Sequence, residues 1–274
     1  MKAKKIIVMD LDGTLLDTHG KVTETSKKYL EKLKKDGNII VIATGRILGL
    51  ALLATDGAKF ANYIVCDAGA ALYKNNEEKN EWTNIYIDEI PQEIANNILD
   101  YFDKEKFRFI DICEKEVINS YVDTYFTDNK LVKTYTNKNE LLRNITKISH
   151  IAAGFLSNKY VQDYFEIFTK HFPTIDINLM QDSFEETKWL EFAQKGTQKY
   201  KGISKVADIE NIKNEDIIAF GDGLNDIDML QKCGVGVAMN NALPEVKEIA
   251  NYITVKNNYE DGIVHFLSEY LKEE

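Results

Sequence analysis

The feature that most constrains this chain is a short run of apolar residues, Ile6–Met9, that stops dead at Asp10. The same design recurs at Asn38–Ala43, Tyr63–Cys66 and Ile217–Phe220, each followed by a small or polar residue, and a further apolar run stands at Val235–Ala238. A strand with one wet face alternates apolar and polar side chains. A run without alternation has to be covered on both faces, as in a parallel sheet clothed by helices. Helix-period segments lie between and after these runs. Thr25–Lys35 carries Tyr29, Leu30 and Leu33 and stops at Gly37, a helix begins near Pro244, and the last segment puts Ile263, Phe266, Leu267 and Tyr270 on one face. Both ends of the chain therefore predict one α/β fold, a doubly wound parallel sheet of Rossmann-like form.

The middle has a different texture. From about Asn84 to Thr187 apolar and polar residues mix, as in strands with one solvated face. Two helix–strand units recur there, Pro91–Phe102 then Phe107–Ile112, and Ser157–His171 then Thr174–Leu179. The first helix spaces Ile94, Ile98 and Phe102 along one face, and the second Val161, Phe165 and Phe168. This predicts an α/β domain over 84–187, inserted into a core made of 1–83 and 188–274.

Composition narrows the partners. The chain has 274 residues, 44% of them hydrophobic, which is enough for a sizeable core. A net charge of −10 repels polyanions, so neither nucleic acid nor an anionic membrane is expected as a partner. Cys66, Cys113 and Cys233 are scattered, odd in number and without metal-ligand spacing, as expected of reduced thiols in a core. The apolar run after Lys2, Lys4 and Lys5 ends too soon for a signal peptide, and Ile47–Ala54 is far shorter than the ~18 residues of a membrane span. The expectation is a soluble, cytoplasmic protein.

Ligands of open parallel sheets bind beyond the carboxyl ends of the strands. There stand Asp10-Leu11-Asp12-Gly13-Thr14, Thr44-Gly45-Arg46 and Gly221-Asp222-Gly223-Leu224-Asn225-Asp226, with a lysine-rich turn at Lys195–Lys201 before the fourth run. Singly, each has an ordinary explanation: solvated loop carboxylates, a turn hydroxyl, a surface lysine, a tight glycine turn, or a charge at a helix start. A calcium loop is excluded, because neither acidic segment keeps ligands at alternate positions with the required glycine and closing glutamate. Together, carboxylates gathered at one sheet edge repel one another and call for a cation. Oxygen donors without histidine or thiol favour Mg²⁺ over Zn²⁺. Gly13, Gly221 and Gly223 let backbone N–H groups approach an anion, and Thr44 and Lys199 add donors for phosphate oxygens. That combination points to phosphoryl transfer.

The sequence resembles the haloacid dehalogenase superfamily of phosphohydrolases, in its Cof-like subgroup. The resemblance rests on DLDGTLLD at 10–17, ATGR at 43–46, KGTQK at 195–199, GDGLNDIDML at 221–230 and VGVAMNNA at 235–242. The insert at 84–187 lies where this subgroup carries its α/β cap. The resemblance implies Asp10 as nucleophile and Asp12 as the acid that protonates the leaving alkoxide, then the base for water. It implies Mg²⁺ held by Asp10, the backbone carbonyl of Asp12, and Asp222. Thr44, Gly45 and Lys199 would bind the phosphoryl group with Asn225 beside it, Asp226 would support the metal and the lysine, and Arg46 would face the substrate. Two positions depart from the pattern: Ala68-Gly69-Ala70 where the subgroup usually has Asn-Gly-Ala, and Tyr200 where a glycine commonly follows the motif lysine. These bear on substrate choice rather than on reaction class.

The expected activity is thus Mg²⁺-dependent hydrolysis of a small phosphorylated metabolite through an aspartyl-phosphate. A dehalogenase has no alkoxide for Asp12 to protonate. A phosphomutase would use the same groups while excluding water. A receiver domain lacks so large an insert, and a phosphate-ligand sensor has no need of an intact Asp10/Asp12 pair.

Overall fold

A computed structural model describes residues 4–114, 116–122, 130–181 and 188–273. They form two compact units, Met1–Tyr86 with Gln198–Glu274, and Ile87–Thr197. The second unit extends past the expected end at 187 because Lys188–Gln194 is a strand of its own sheet. Thr187 itself lies outside the described residues.

In the first unit the strands are β1 (Ile6–Met9), β2 (Ile39–Ala43), β3 (Tyr63–Cys66), β4 (Ala71–Asn76) and β5 (Glu81–Ile87). After the second unit come β12 (Ile217–Gly221), β13 (Val235–Ala238) and β14 (Tyr252–Ile253). Among the described residues their order is β14-β13-β12-β1-β2-β3-β4-β5, parallel from β14 to β3 and antiparallel at β3/β4. Every residue of β1, β2, β3 and β12 is buried, which is the coverage on both faces that the unbroken apolar runs require. Each fully buried aliphatic side chain contributes roughly 1.5–3 kcal/mol, so these strands anchor the unit.

Helices α1 (Glu24–Lys35), α2 (Leu48–Ala54), α6 (Lys199–Glu210), α7 (Ile227–Lys232), α8 (Pro244–Ile249) and α9 (Gly262–Glu273) belong to the same unit. The hydroxyl of Thr23 caps α1 by accepting from the Ser26 N–H at 3.1 Å, and Leu30 and Leu33 are buried. In α9 Ile263 and Leu267 are buried, while Phe266 and Tyr270 stack on each other. The chain winds outward from β1 through β2 to β3, then outward the other way from β12 through β13 to β14. The crossover point is therefore the β1/β12 crevice, where a doubly wound sheet takes its ligand.

The second unit carries the sheet β10-β11-β9-β6-β7-β8, with β6 at Phe107–Glu114, β7 at Val117–Val122, β8 at Val132–Tyr135, β9 at His150–Phe155, β10 at Ile175–Gln181 and β11 at Lys188–Gln194. It is antiparallel except at β7/β8. Its helices are α3 (Gln92–Asp100), α4 (Lys138–Arg143) and α5 (Asn158–His171). Ile98, Phe107, Ile151, Val161, Phe168 and Phe192 meet in its core. The two expected helix–strand units are both present, and each continues into a return strand, β6 into β7 and β10 into β11. Among the described residues no helix is long and apolar enough to cross a membrane. Cys66, Cys113 and Cys233 are buried and form no disulfide among the described residues, Cys66 and Cys233 at strand or helix ends of the first unit.

Candidate active site

Asp10 leaves the end of β1 directly into the crevice, its N–H donating to the Phe220 carbonyl of β12 at 3.1 Å. Leu11–Leu15 then form a wide helical turn, kinked at Asp12 (φ −77°, ψ 120°) and Gly13 (φ 77°). Gly13 is the one residue type that fits. It combines a left-handed φ with an approach so close that any Cβ would run into the Asp222 carboxylate. The turn is held by its own Thr14, whose hydroxyl donates to Asp222 Oδ1 at 2.7 Å, and from outside by Asn241, whose amide donates to the Gly13 carbonyl at 2.7 Å. Asn241 is itself fixed by accepting the Asn258 N–H at 3.0 Å.

Opposite stands Lys199, buried at the first position of α6. Its ammonium donates to Asp10 Oδ1 at 2.5 Å and to Asp226 Oδ1 at 2.6 Å. The other oxygen of Asp226 accepts the N–H groups of Asp222 and Gly223 at 2.9 and 3.0 Å. Asp226 is thus consumed by donors, whereas Asp10 and Asp222 each have one oxygen with no hydrogen bond among the described residues. Oxygens of Asp10, Asp222 and Asp226 lie within 4.8 Å of one another.

Two buried carboxylates and one half-buried, against one ammonium, leave an excess of two negative charges. Burial pushes the Asp10 carboxyl well above its ordinary value, with Asp226 and Asp222 adding to the rise against the pull of Lys199. Asp222 is pushed up to about 6, chiefly by burial, against the Thr14 hydrogen bond. Burial works to discharge Lys199 too, but Asp10 and Asp226 outweigh it and hold the ammonium above its ordinary pKa. A pair of opposite charges ~4 Å apart attracts by about 4 kcal/mol at an effective dielectric of ~20, while desolvation costs several kcal/mol per ion. One lysine cannot balance three carboxylates on those terms, and a divalent cation would.

Asp12 has a different setting. Its side chain is 60% exposed and both of its oxygens are held by Arg46, Nε to Oδ2 at 2.9 Å and Nη2 to Oδ1 at 2.6 Å. Two carboxylates separated by one residue thus face opposite partners, Asp10 a buried ammonium and Asp12 a half-exposed guanidinium. Thr44 is buried at the end of β2 and its hydroxyl accepts the Arg46 N–H at 3.1 Å, leaving the hydroxyl proton for a ligand. Gly45 is exposed beside it. Asn225 sits exposed in the turn Leu224–Asp226, with its carboxamide in no hydrogen bond among the described residues.

The residues after β3 brace two of these groups. The Asp67 N–H donates to the Arg46 carbonyl and the Ala68 N–H to the Thr44 carbonyl, both at 3.1 Å. Gly69 (φ 112°) lies so close to Gln198 that a Cβ would strike its carbonyl, next to Lys199. Ala68 has φ 52° and ψ 24°, a left-handed conformation in which a Cβ costs about 1–2 kcal/mol. The departure at this position therefore carries strain. Ala68→Gly is expected to stabilise the protein by up to about 1 kcal/mol, the relief being partly offset by chain entropy. Denaturant unfolding of both forms checks this, and a less stable variant would show that the strain is absent.

The other departure, Tyr200, points to the surface. Its hydroxyl donates to Asn214 Oδ1 at 3.1 Å and Lys232 covers its ring at 5.6 Å. The cap of α6 is Gln198, whose amide, oriented by its neighbours, donates to Asp228. Thr197, the residue before it and a good capping type, instead donates its hydroxyl to Asp88 Oδ2 at 3.0 Å. Neither Thr14 nor Asn241 is marked as a contributor by sequence pattern alone. Their signal was their place inside DLDGT and VGVAMNNA, but the partner of each lies more than two hundred residues away, at |i−j| of 208 and 228.

Comparison with known proteins bears on the family and the fold. The haloacid dehalogenase-like hydrolase profile matches residues 7–267. A 5-amino-6-(5-phospho-D-ribitylamino)uracil phosphatase of Bacillus subtilis (strain 168), YitU, is 27% identical over 97% of both chains. YcsE, of the same name and organism, is 26% identical over 97% of this chain and 96% of its own. Among solved structures, TM0651 from Thermotoga maritima shares the fold with a TM-score of 0.81 at 24% identity, over 97% of each chain. The HAD subclass IIB sugar phosphatase BT4131 is 26% identical, with a TM-score of 0.75 over 97% of this chain and 99% of that one. With the profile spanning nearly its whole length and the acidic crevice at its crossover point, this chain belongs to the haloacid dehalogenase-like hydrolases.

Proposed function

We propose that this enzyme, a phosphoric monoester hydrolase, removes the phosphoryl group of a small phosphorylated metabolite with Mg²⁺ as cofactor and Asp10 as nucleophile. The observation that carries the reading is the cluster of Asp10, Asp222 and Asp226 around Lys199, two positive charges short of neutrality. Its donor set fits a small hard cation: oxygens only, with one carboxylate oxygen of Asp10 and one of Asp222 not used by the protein. Asp10, Asp222 and the Asp12 carbonyl would hold the ion, and Asp226 would keep Lys199 and the Asp222 backbone in place. Bound there, the ion supplies positive charge to the phosphoryl oxygens.

The protein's own part divides into two steps. An Asp10 oxygen bonds to phosphorus while the ester P–O bond breaks, and Asp12 gives its proton to the departing oxygen. Water then bonds to phosphorus, the bond to Asp10 breaks, and Asp12 takes the proton from the water, which restores both residues. Lys199, Thr44, Gly45 and Asn225 bind phosphoryl oxygens through the ammonium, the hydroxyl and backbone or carboxamide N–H groups. Preorganised donors of this kind are the largest single source of rate in such chemistry. The names of the relatives, a phosphoribitylamino-uracil phosphatase and a sugar phosphatase, favour phosphorylated sugars or sugar-like alcohols as substrates. Buried, unbridged thiols and net negative charge favour the cytoplasm and disfavour a nucleic-acid partner.

A panel of phosphorylated metabolites tests the reading, with released phosphate as the signal. Activity is expected to vanish after chelation, to return with Mg²⁺ and to return poorly with Ca²⁺, whose longer bonds and looser geometry misplace the in-line approach. Full turnover after exhaustive metal removal would sink the proposal. Transfer to a second metabolite without phosphate release would identify a mutase.

A further inference from the structure

Arg46 has no part in the metal cluster, yet it makes the most directional side-chain contact at the site. Its guanidinium meets Asp12 as a fork, at 2.9 and 2.6 Å, one N–H on each carboxylate oxygen. Its own backbone is pinned at both ends, the N–H by the Thr44 hydroxyl and the carbonyl by the Asp67 N–H, each at 3.1 Å. Asp12 has no other side-chain partner among the described residues, and at 60% exposure its carboxylate would otherwise turn freely about two side-chain bonds. A planar fork fixes both the direction and the plane of a carboxylate, which a point charge does not.

The geometry points to Arg46 as a positioning residue that acts through Asp12 in the water step. This inference rests on the proton-transfer role proposed for Asp12. A carboxylate oxygen has room for two acceptor contacts, so the fork occupies one on each oxygen and leaves one on each for water. It therefore presents Asp12 as an aimed acceptor, which is what breakdown of the aspartyl-phosphate needs. As water bonds to phosphorus, its proton passes to an Asp12 oxygen and the phosphorus bond to Asp10 breaks. Formation of the aspartyl-phosphate from an aryl phosphate needs no such help, because the phenolate leaves without a proton. The two half-reactions should thus respond differently to loss of the fork. That distinguishes Arg46 as a support for Asp12 from Arg46 as a grip on substrate.

The test is rapid-mixing kinetics of the full-length protein with Mg²⁺ and 4-nitrophenyl phosphate. Arg46→Gln is expected to keep a burst of nitrophenol near one equivalent, formed at close to the wild-type rate. The steady rate that follows should fall by roughly 10–100-fold, the cost of misplacing a proton-transfer group without removing it. The burst amplitude itself counts folded, competent sites, so misfolding cannot imitate this result. Arg46→Lys, which restores charge but not the fork, should recover only part of the steady rate. The double variant Asp12→Asn/Arg46→Gln should be no slower than Asp12→Asn alone, because a residue acting through Asp12 has nothing left to lose. A raised KM with an unchanged steady rate at saturation, a missing burst, or losses that multiply in the double variant would each overturn the inference. Should Asp12→Asn stall as phosphoenzyme while Arg46→Gln turns over normally, the role of Arg46 alone falls. Should Asp12→Asn turn over at the wild-type rate, the reading of Asp12 falls and takes Arg46 with it.

Discussion

Asp10→Asn is expected to abolish phosphate release and to leave the protein without any added phosphoryl mass after incubation with an aryl phosphate and Mg²⁺. The amide nearly matches the carboxylate in shape and can still accept from Lys199, so the site should persist while its attacking oxygen is gone. Removing the nucleophile of a covalent mechanism typically costs on the order of 10⁶-fold. Folding should not suffer. Burial and the two neighbouring carboxylates raise the Asp10 pKa, so its ionised form is held at a cost near neutral pH, and a neutral replacement relieves it. The variant should therefore unfold no earlier than wild type in metal-free buffer. Asp12→Asn makes the contrast, because it retains the nucleophile and should carry one phosphoryl group by intact-protein mass spectrometry. A phosphoryl group on Asp10→Asn would mean that another residue attacks.

Lys199 should show the opposite combination, a loss of both activity and stability. Its ammonium is buried between Asp10 and Asp226, at 2.5 and 2.6 Å. Lys199→Met keeps the length of the side chain and removes the charge. A donor aimed at transition-state charge is worth about 10²–10³ in turnover. Taking one partner from a buried ionic cluster commonly costs about 3–5 kcal/mol, here because three carboxylates would remain with no cation of the protein's own. Denaturant unfolding should show that loss in chelator, and Mg²⁺ should recover part of it, since both cations answer the same excess charge. Lys195 and Lys201 provide the controls. Lys195 donates to the Pro173 carbonyl, and Lys201 lies over the Tyr86 ring at 6.0 Å. Their alanine variants should stay within a few-fold of wild type. Comparable loss at either one, or full turnover by Lys199→Met, would move the phosphate-binding cation elsewhere.

The legible part of this protein is the part set by local chemistry. Ile6–Met9, Ile39–Ala43 and Ile217–Gly221 could be read as strands buried on both faces because such strands have no polar position to alternate with. The helices announced themselves through period, and the residues at the strand ends through charge and glycine. Even the cluster of Asp10, Asp222 and Lys199 followed, since a doubly wound sheet brings strand ends to one edge.

What stayed hidden depends on which partner is near in space. The alternating pattern of Lys188–Gln194 suits either sheet, and only its pairing with β9 and β10 assigns it to the second unit. Thr197 has the chemistry of a cap, but its hydroxyl is drawn to Asp88, and Gln198 takes the position. The pairing of Arg46 with Asp12 depends on the turn at Gly13, which aims Asp12 at it. Asn241 and Thr14 hold the turn after Asp10 across most of the chain's length. Burial and periodicity are properties of a segment and so are written along it. A hydrogen bond between side chains far apart in sequence exists only once the sheet has brought both ends together, and that is where the site acquires its geometry.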